Sequence, residues 1–222
     1  QPKPDDALPD PRIDYIIELS LPAGGAGPLL RELWAPIELR FARRVLLEEA
    51  AGGTVRAALQ LVSRAGVVSD AELLEFRSAV ETLAAKLGAP VSAPQMREAL
   101  EAARELDRAC AHADIQVALH VVGIPGGSQI ESPLFSAEPR ADGVTLALDV
   151  ARTTEPRRAY EAMARAGMQL AQARGGRIVD DNGTALDEQA LAAIGAQLDA
   201  VCALLSGHGI EPGSPLALRL FS

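Results

Sequence analysis

The sequence predicts an α+β protein: antiparallel sheet with helices packed on one face, in a split β-α-β-like order that occurs twice in tandem. Three observations carry this. Apolar residues alternate with a period of two in several short runs and recur at three- and four-residue steps in others, the spacings of half-buried strands and amphipathic helices. Gly and Pro clusters separate the runs. Finally, "LGAPVSAPQMREALEAARELDRAC" (87–110) and "GGRIVDDNGTALDEQALAAIGAQLDAVC" (175–202) end on the same Leu-Asp-x-x-Cys signature. The expected boundaries are a Pro-rich, acidic linker remnant over 1–12, a first module over 13–113 and a second over 114–222.

The first module opens on "IDYIIELSL", where Ile13, Tyr15, Ile17, Leu19 and Leu21 share one face of a strand. "PAGGAGP" breaks the chain before a short helical stretch around "LLRELW". "IELRFARRVLL" alternates like a second strand, and the Gly52-Gly53 turn leads into "TVRAALQLV". Beyond Ser69 the period changes. Ser69 with Glu72 forms a capping box, and Leu73, Phe76, Val80, Leu83 and Leu87 make a helical stripe that Gly88 ends. Ser92 with Gln95 is expected to open the next helix, with Met96, Leu100, Ala103, Leu106 and Cys110 on one side.

The second module repeats the order. "DIQVALHVV" (114–122) and "GVTLALDV" (143–150) alternate as strands. Thr154 followed by Pro156 is expected to start a helix, with Tyr160, Met163, Gly167 and Leu170 as its stripe and Gly175-Gly176 as its stop. "RIV" is a short strand. Asp187 caps a helix carrying Leu191, Ile194, Leu198, Val201 and Leu205, and "SPLALRLFS" is expected to close the chain as a strand. Each helix supplies a single apolar stripe, so helices cover one face of a sheet and leave the other open. Function is expected on that open face.

Composition narrows the function classes. The 222 residues are 48% hydrophobic but only 3% aromatic, so Leu, Ala, Val and Ile build the core. A net charge of −9 without a basic stripe argues against nucleic acid as a partner. No apolar run approaches the roughly 20 residues that span a bilayer. The two cysteines lie at equivalent places in the repeat, as buried thiols or as a half-cystine pair.

The motifs give catalysis little support. Asp180 and Asp181 are adjacent in an extended segment and point to opposite sides; with Asn182-Gly183 they read as a turn whose carboxylates bond nearby amides. His112, His120 and His208 have no metal-ligand spacing, and no Cys-x-x-Cys helps them. His120 has the parity opposite Leu119 and Val121, which puts it on the open face as a surface histidine. "PAGGAGP" lacks the Lys-Ser/Thr of a phosphate loop. No cofactor, metal or catalytic residue is expected.

"GVTLALDVARTTEPRRAYEAMARAGMQLAQARGGRIVDDNGTALDEQALAAIGAQLDAV" (143–201) resembles the C-terminal domain family of ZipA, cell-division modules that bind the tubulin-like protein FtsZ. The resemblance rests on Gly143-Val144-Thr145, on Gly175-Gly176, on Ile178-Val179-Asp180-Asp181 and on the helix from Asp187 to Leu205. "AALQLVSRAGVVSDAELLEFRSAVETLAAKLGAPV" (57–91) is a weaker second match, which implies two such modules.

The resemblance implies a division adaptor at the septum, on the cytoplasmic side of the bacterial inner membrane. An N-terminal anchor outside this chain would tether it, and an open sheet face would take the C-terminal peptide of FtsZ without any cofactor. Carried over by position, the face uses Thr145, Ala147 and Asp149 on one strand and Gln116, Ala118 and His120 on its neighbour; the first module offers Ala58 and Gln60. Ala147 and Ala58 stand where the family places a large aromatic. The 20 residues between Val122 and Gly143 are too few for the helix and two strands that the family has there, so the second module is expected to be shortened over 123–142. The alternative from a different class is a ferredoxin-like module that senses a small ligand or oligomerises.

Overall fold

The computed structural model describes residues 8–22, 27–125 and 130–222. Most of the expected linker, and the Gly-rich centre of "PAGGAGP", lie outside the described residues. The chain is α+β and divides into two compact units, one running to Arg108 and the other from Ala109 to Phe221.

In the first unit, β1 (Asp14–Ser20), β2 (Val45–Glu49), β3 (Thr54–Gln60) and β6 (Val91–Ser92) form an antiparallel sheet in the order β2-β3-β1-β6. A small hairpin, β4 (Val62–Ser63) with β5 (Gly66–Val67), follows β3. The helices are α1 (Gly27–Arg40), α2 (Asp70–Leu87) and α3 (Met96–Cys110). Tyr15, Ile17 and Leu19 of β1 and Val55, Ala57 and Leu59 of β3 form the sheet's share of the core, meeting Leu73, Phe76 and Val80 of α2. Phe41 packs edge-on against Phe76 with ring centroids 5.6 Å apart. α2 begins as its sequence demands: the Ser69 hydroxyl accepts from the Glu72 N–H, and Gly88 ends the helix at φ 63, a left-handed conformation that favours glycine.

Two expectations fail here. "IELR" is the end of α1, not a strand. Leu30, Trp34 and Ile37 are buried at three- and four-residue steps, and Leu39, which made the alternation look like a strand, is 89% exposed. Ser92 does not cap α3 but lies in β6, opposite Glu18 of β1.

The second unit holds β7 (Gln116–Val122), β8 (Ser136–Arg140), β9 (Gly143–Asp149) and β10 (Arg177–Val179) in the order β10-β7-β9-β8. Replacing each strand by its counterpart in sequence gives the first unit's order, β2-β3-β1-β6. α4 (Pro156–Arg174) covers the sheet, where Gly167 allows close approach: a Cβ there would stand 3.3 Å from Ile178 and 3.4 Å from Leu146. α5 (Glu188–Gly207) packs along α4, and the Tyr160 hydroxyl donates to the Leu191 carbonyl at 2.8 Å.

Between Val122 and Gly143 the chain has room for a strand after all. β8 pairs with β9, and the two-residue turn Ala141-Asp142 joins them. The helix entry at Thr154 is also displaced: Glu155, at φ 51, precedes Pro156 as the first helical residue. "PLALRL" is a helix, α6 (Pro215–Leu220), instead of a closing strand. The Ser214 hydroxyl accepts from the Ala217 N–H, Pro215 pre-sets the first turn, and Leu216, Ala217 and Leu220 are buried at helical spacing.

One further expectation is corrected. α5 is 20 residues long with a mean hydropathy of 1.6, enough by length and composition to cross a membrane. In this unit Leu191, Gly195, Leu198, Val201 and Leu205 are buried, while Arg157 reaches from α4 to Asp199 at 2.8 Å. Neither cysteine is joined in a disulfide, so the half-cystine alternative does not hold. Cys110 is buried, and Cys202 is half-buried, with its thiol pushed up chiefly by burial.

Candidate partner-binding face

In β9, Val144, Leu146 and Leu148 are buried while Thr145, Ala147 and Asp149 alternate with them and keep partial access to solvent. β7 presents the matching set. The antiparallel register places Gln116 opposite Asp149, Ala118 opposite Ala147 and His120 opposite Thr145. The six residues singled out in the second module therefore form three adjacent cross-strand pairs on the face away from α4.

β8 widens this face. Ser136 stands opposite Ala147, Glu138 opposite Thr145 and Arg140 opposite Gly143. None of the three was anticipated, because "SAEPR" has no apolar alternation. The Asp142-Gly143 dipeptide was the available signal, since Asp-Gly is a frequent hairpin turn. On the opposite side Val179 of β10 pairs with His120.

The face has a flat centre and polar ends. Ala118 and Ala147 form a floor of methyl groups, with the Ser136 hydroxyl donating to the Ala147 carbonyl at its margin (3.2 Å). At one end lie Gln116 and Asp149. At the other, His120 is only 9% exposed, not the solvated surface histidine that its parity suggested. Its Nδ1 lies 2.9 Å from the Thr145 hydroxyl and 3.2 Å from the Arg140 guanidinium, and its Nε2 lies 2.8 Å from an Asp181 carboxylate oxygen.

These partners set the tautomer. Arg140 can only donate, so Nδ1 is the acceptor and the neutral ring carries its proton on Nε2, which donates to Asp181. The Asp181 side chain is 79% exposed, so the bond fastens a surface turn to the rim of the sheet. The order hydroxyl, imidazole, carboxylate is that of a nucleophilic triad. Here, however, the single Nδ1 lone pair is shared between the Thr145 hydroxyl and a guanidinium N–H.

The turn itself is built by Asp180. One of its carboxylate oxygens accepts from the Asn182 N–H at 2.9 Å and the Thr184 N–H at 2.8 Å. These amide bonds, with the one from Thr184 the larger, hold the Asp180 carboxyl below the usual aspartate range. The adjacent aspartates thus divide the work: Asp180 shapes the turn and Asp181 reaches the sheet. Among the described residues, no group of three or more His, Cys, Asp and Glu could hold a metal ion.

The corresponding face of the first unit is more closed. Ala58 is fully buried between its neighbours Ile16 and Leu46, and Gln60, opposite Asp14, turns its amide back to donate to the Val62 carbonyl at 2.9 Å. Farther along, Arg56 bridges Glu18 at 3.1 Å and Glu48 at 3.4 Å.

Residues 135–197 match the family described as ZipA, C-terminal FtsZ-binding domain. The match begins just before β8, runs through β9, α4 and β10, and ends within α5. Comparison with curated proteins and comparison with solved structures returned no match.

Proposed function

We propose, from the match of residues 135–197 to the ZipA C-terminal FtsZ-binding family, that this chain is a cell-division adaptor whose second unit binds the C-terminal peptide of FtsZ. That match is the observation that carries the reading. The binding surface is the open face of β7, β9 and β8, and the recognition is non-covalent, needing neither catalytic group nor cofactor.

The physical logic follows from the alanine floor. Where large anchors fill the centre of an interface, they usually carry most of its energy. Ala118 and Ala147 supply no such anchor, so the peptide brings the large apolar side chains and the sheet supplies a flat surface for them to cover. The polar ends orient it: Gln116 and Asp149 at one end, and Arg140 with the His120–Asp181 bridge at the other. In the first unit, Ala58 and Gln60 are the residues at the equivalent place, and their burial makes that unit the weaker candidate.

In the cell, the adaptor would link the division ring to the cytoplasmic side of the inner membrane at the septum, through an anchor N-terminal to Gln1. The resemblance to the family supports this larger role.

Titrating the folded chain with a synthetic FtsZ C-terminal peptide tests the binding. The expected result is saturable binding that Ala147→Glu weakens at least about tenfold, or 1.4 kcal/mol. A folded chain that fails to bind at high micromolar peptide overturns the reading. Binding that is unaffected by Ala147→Glu moves the site off this face.

A further inference from the structure

Among the described residues, the first unit carries an unpaired sheet edge beside a donor without an acceptor. β2 ends its sheet and, among the described residues, pairs only with β3. The Gln60 N–H donates to the Arg44 carbonyl and the Ala50 N–H to the Thr54 carbonyl. With the register between β2 and β3, these bonds assign Arg44, Leu46, Glu48 and Ala50 to the β3 side. The backbone N–H and C=O groups of Val45, Leu47 and Glu49 therefore face outward.

Along that edge runs an open groove of about 660 Å³, lined by Arg31, Trp34 and Glu38 of α1 and by Leu47 and Glu49 of β2. Trp34 is 4% exposed and its indole Nε1 is buried with no hydrogen-bond partner among the described residues. Buried donors are rarely left unpaired, and each such exception calls for an explanation. The rim is also unbalanced. Arg31 is paired with Glu49 at 3.5 Å, while Glu38 has no ion pair among the described residues.

We propose that this edge is a second peptide-binding site, at which an extended segment bearing cationic side chains adds as a strand alongside β2. Its backbone pairs with the outward groups of Val45, Leu47 and Glu49, the mode by which sheet edges recruit extended peptides. A shift of the Trp34 side chain on binding brings its enclosed indole N–H to one of the segment's carbonyls, and a Lys or Arg side chain neutralises Glu38. The site lies wholly in the first unit and does not depend on the FtsZ reading.

The chain contains one tryptophan, so a ¹⁵N-labelled sample gives one indole N–H resonance. The probe is an acetylated, amidated Val-Lys-Val-Lys-Val peptide. Binding is expected to move the indole proton downfield together with the amides of Val45, Leu47 and Glu49. Replacing the probe's lysines by glutamates, or Glu38→Gln in the protein, is expected to weaken binding at least about threefold. Methylating every probe amide is expected to abolish it.

Three results overturn the proposal. One is an unmoved indole at millimolar probe. Another is equal binding of the methylated peptide, which would mean side-chain adsorption without strand pairing. The last is movement of the same resonances with protein concentration alone, which would make a second copy of the chain the occupant of the edge.

Discussion

The two sheets have the same strand order but are finished differently. The first unit places α1 between β1 and β2, whereas the second reaches β8 from β7 without a described helix. The first core contains an aromatic pair, Phe41 on Phe76; under the second sheet the corresponding helix brings Met163 and Tyr160. On the far face the contrast reverses. The first unit buries Ala58 and Gln60, while the second leaves Ala118 and Ala147 partly open and spends its polar residues at the rim. One topology thus yields a closed face and an open one, because side-chain size and loop placement vary where strand order does not.

The largest expected break in this comparison is Phe76→Ala. Phe76 is fully buried, and truncating such a ring costs about 3–5 kcal/mol. Met163→Ala under the second sheet is expected to cost somewhat less, about 2–5 kcal/mol. Urea denaturation followed by amide signals from each unit measures both; equal or reversed losses would erase the distinction between the cores.

Next is Gly143, which stands opposite Val122 as Thr54 stands opposite Ser20. A Cβ at Gly143 would lie 1.8 Å from the Val121 carbonyl oxygen, so Gly143→Ala must push β9 away from β7. A loss of about 1–3 kcal/mol is expected for such overpacking, with signals of β7 and β9 moving most. Thr54 already carries a side chain at the matching place, and Thr54→Ala is expected to stay within about 1 kcal/mol.

A smaller effect comes from the tyrosines. Burial pushes the Tyr160 phenol up to about 12, with Arg157 opposing, and burial also raises Tyr15, opposed by Arg77. A raised folded pKa means that the neutral form is favoured by folding. The stabilisation is therefore complete below the unfolded value of about 10 and is lost as pH rises toward the folded value. Tyr160→Phe is expected to cost about 1 kcal/mol at neutral pH through the bond to Leu191. It should also flatten the second unit's decline between about pH 10 and 12, which thermal melts across that range would reveal.

The smallest effect is local. The lowered Asp180 carboxyl stabilises its turn above the ordinary aspartate range, and this contribution is lost as pH falls through the folded value. Faster exchange of the Asn182 and Thr184 amides in acid, with the paired amides of β7 and β10 still protected, is the expected sign. His120→Gln should loosen the same turn at neutral pH by removing the bond to Asp181.

Much of this was legible in the chain. The stripe from Leu73 to Leu87, the caps at Ser69 and Asp187, the stops at Gly88 and Gly175, and the parity of Gln116, Ala118, His120, Thr145, Ala147 and Asp149 all follow from local chemistry. They are decided by the residues themselves and their near neighbours, through spacing and hydrogen bonds that span a few positions. Local pattern also misled. Ile37, Leu39 and Phe41 alternate, yet they belong to the end of α1 and the residue beyond it, and "PLALRL" alternates within a helix.

What needed tertiary structure is whatever depends on residues far apart in sequence. That β8 exists was decided by its pairing to β9, since "SAEPR" has no periodicity of its own. That His120 is buried was decided by Asp181, sixty-one positions away, and by Arg140 on a strand that the sequence did not announce. That Ala58 is closed and Ala147 partly open was decided by packing around two identical side chains. A residue's type and parity set the face it occupies; only the neighbours brought to that face by folding set whether it meets solvent, a charge or another side chain.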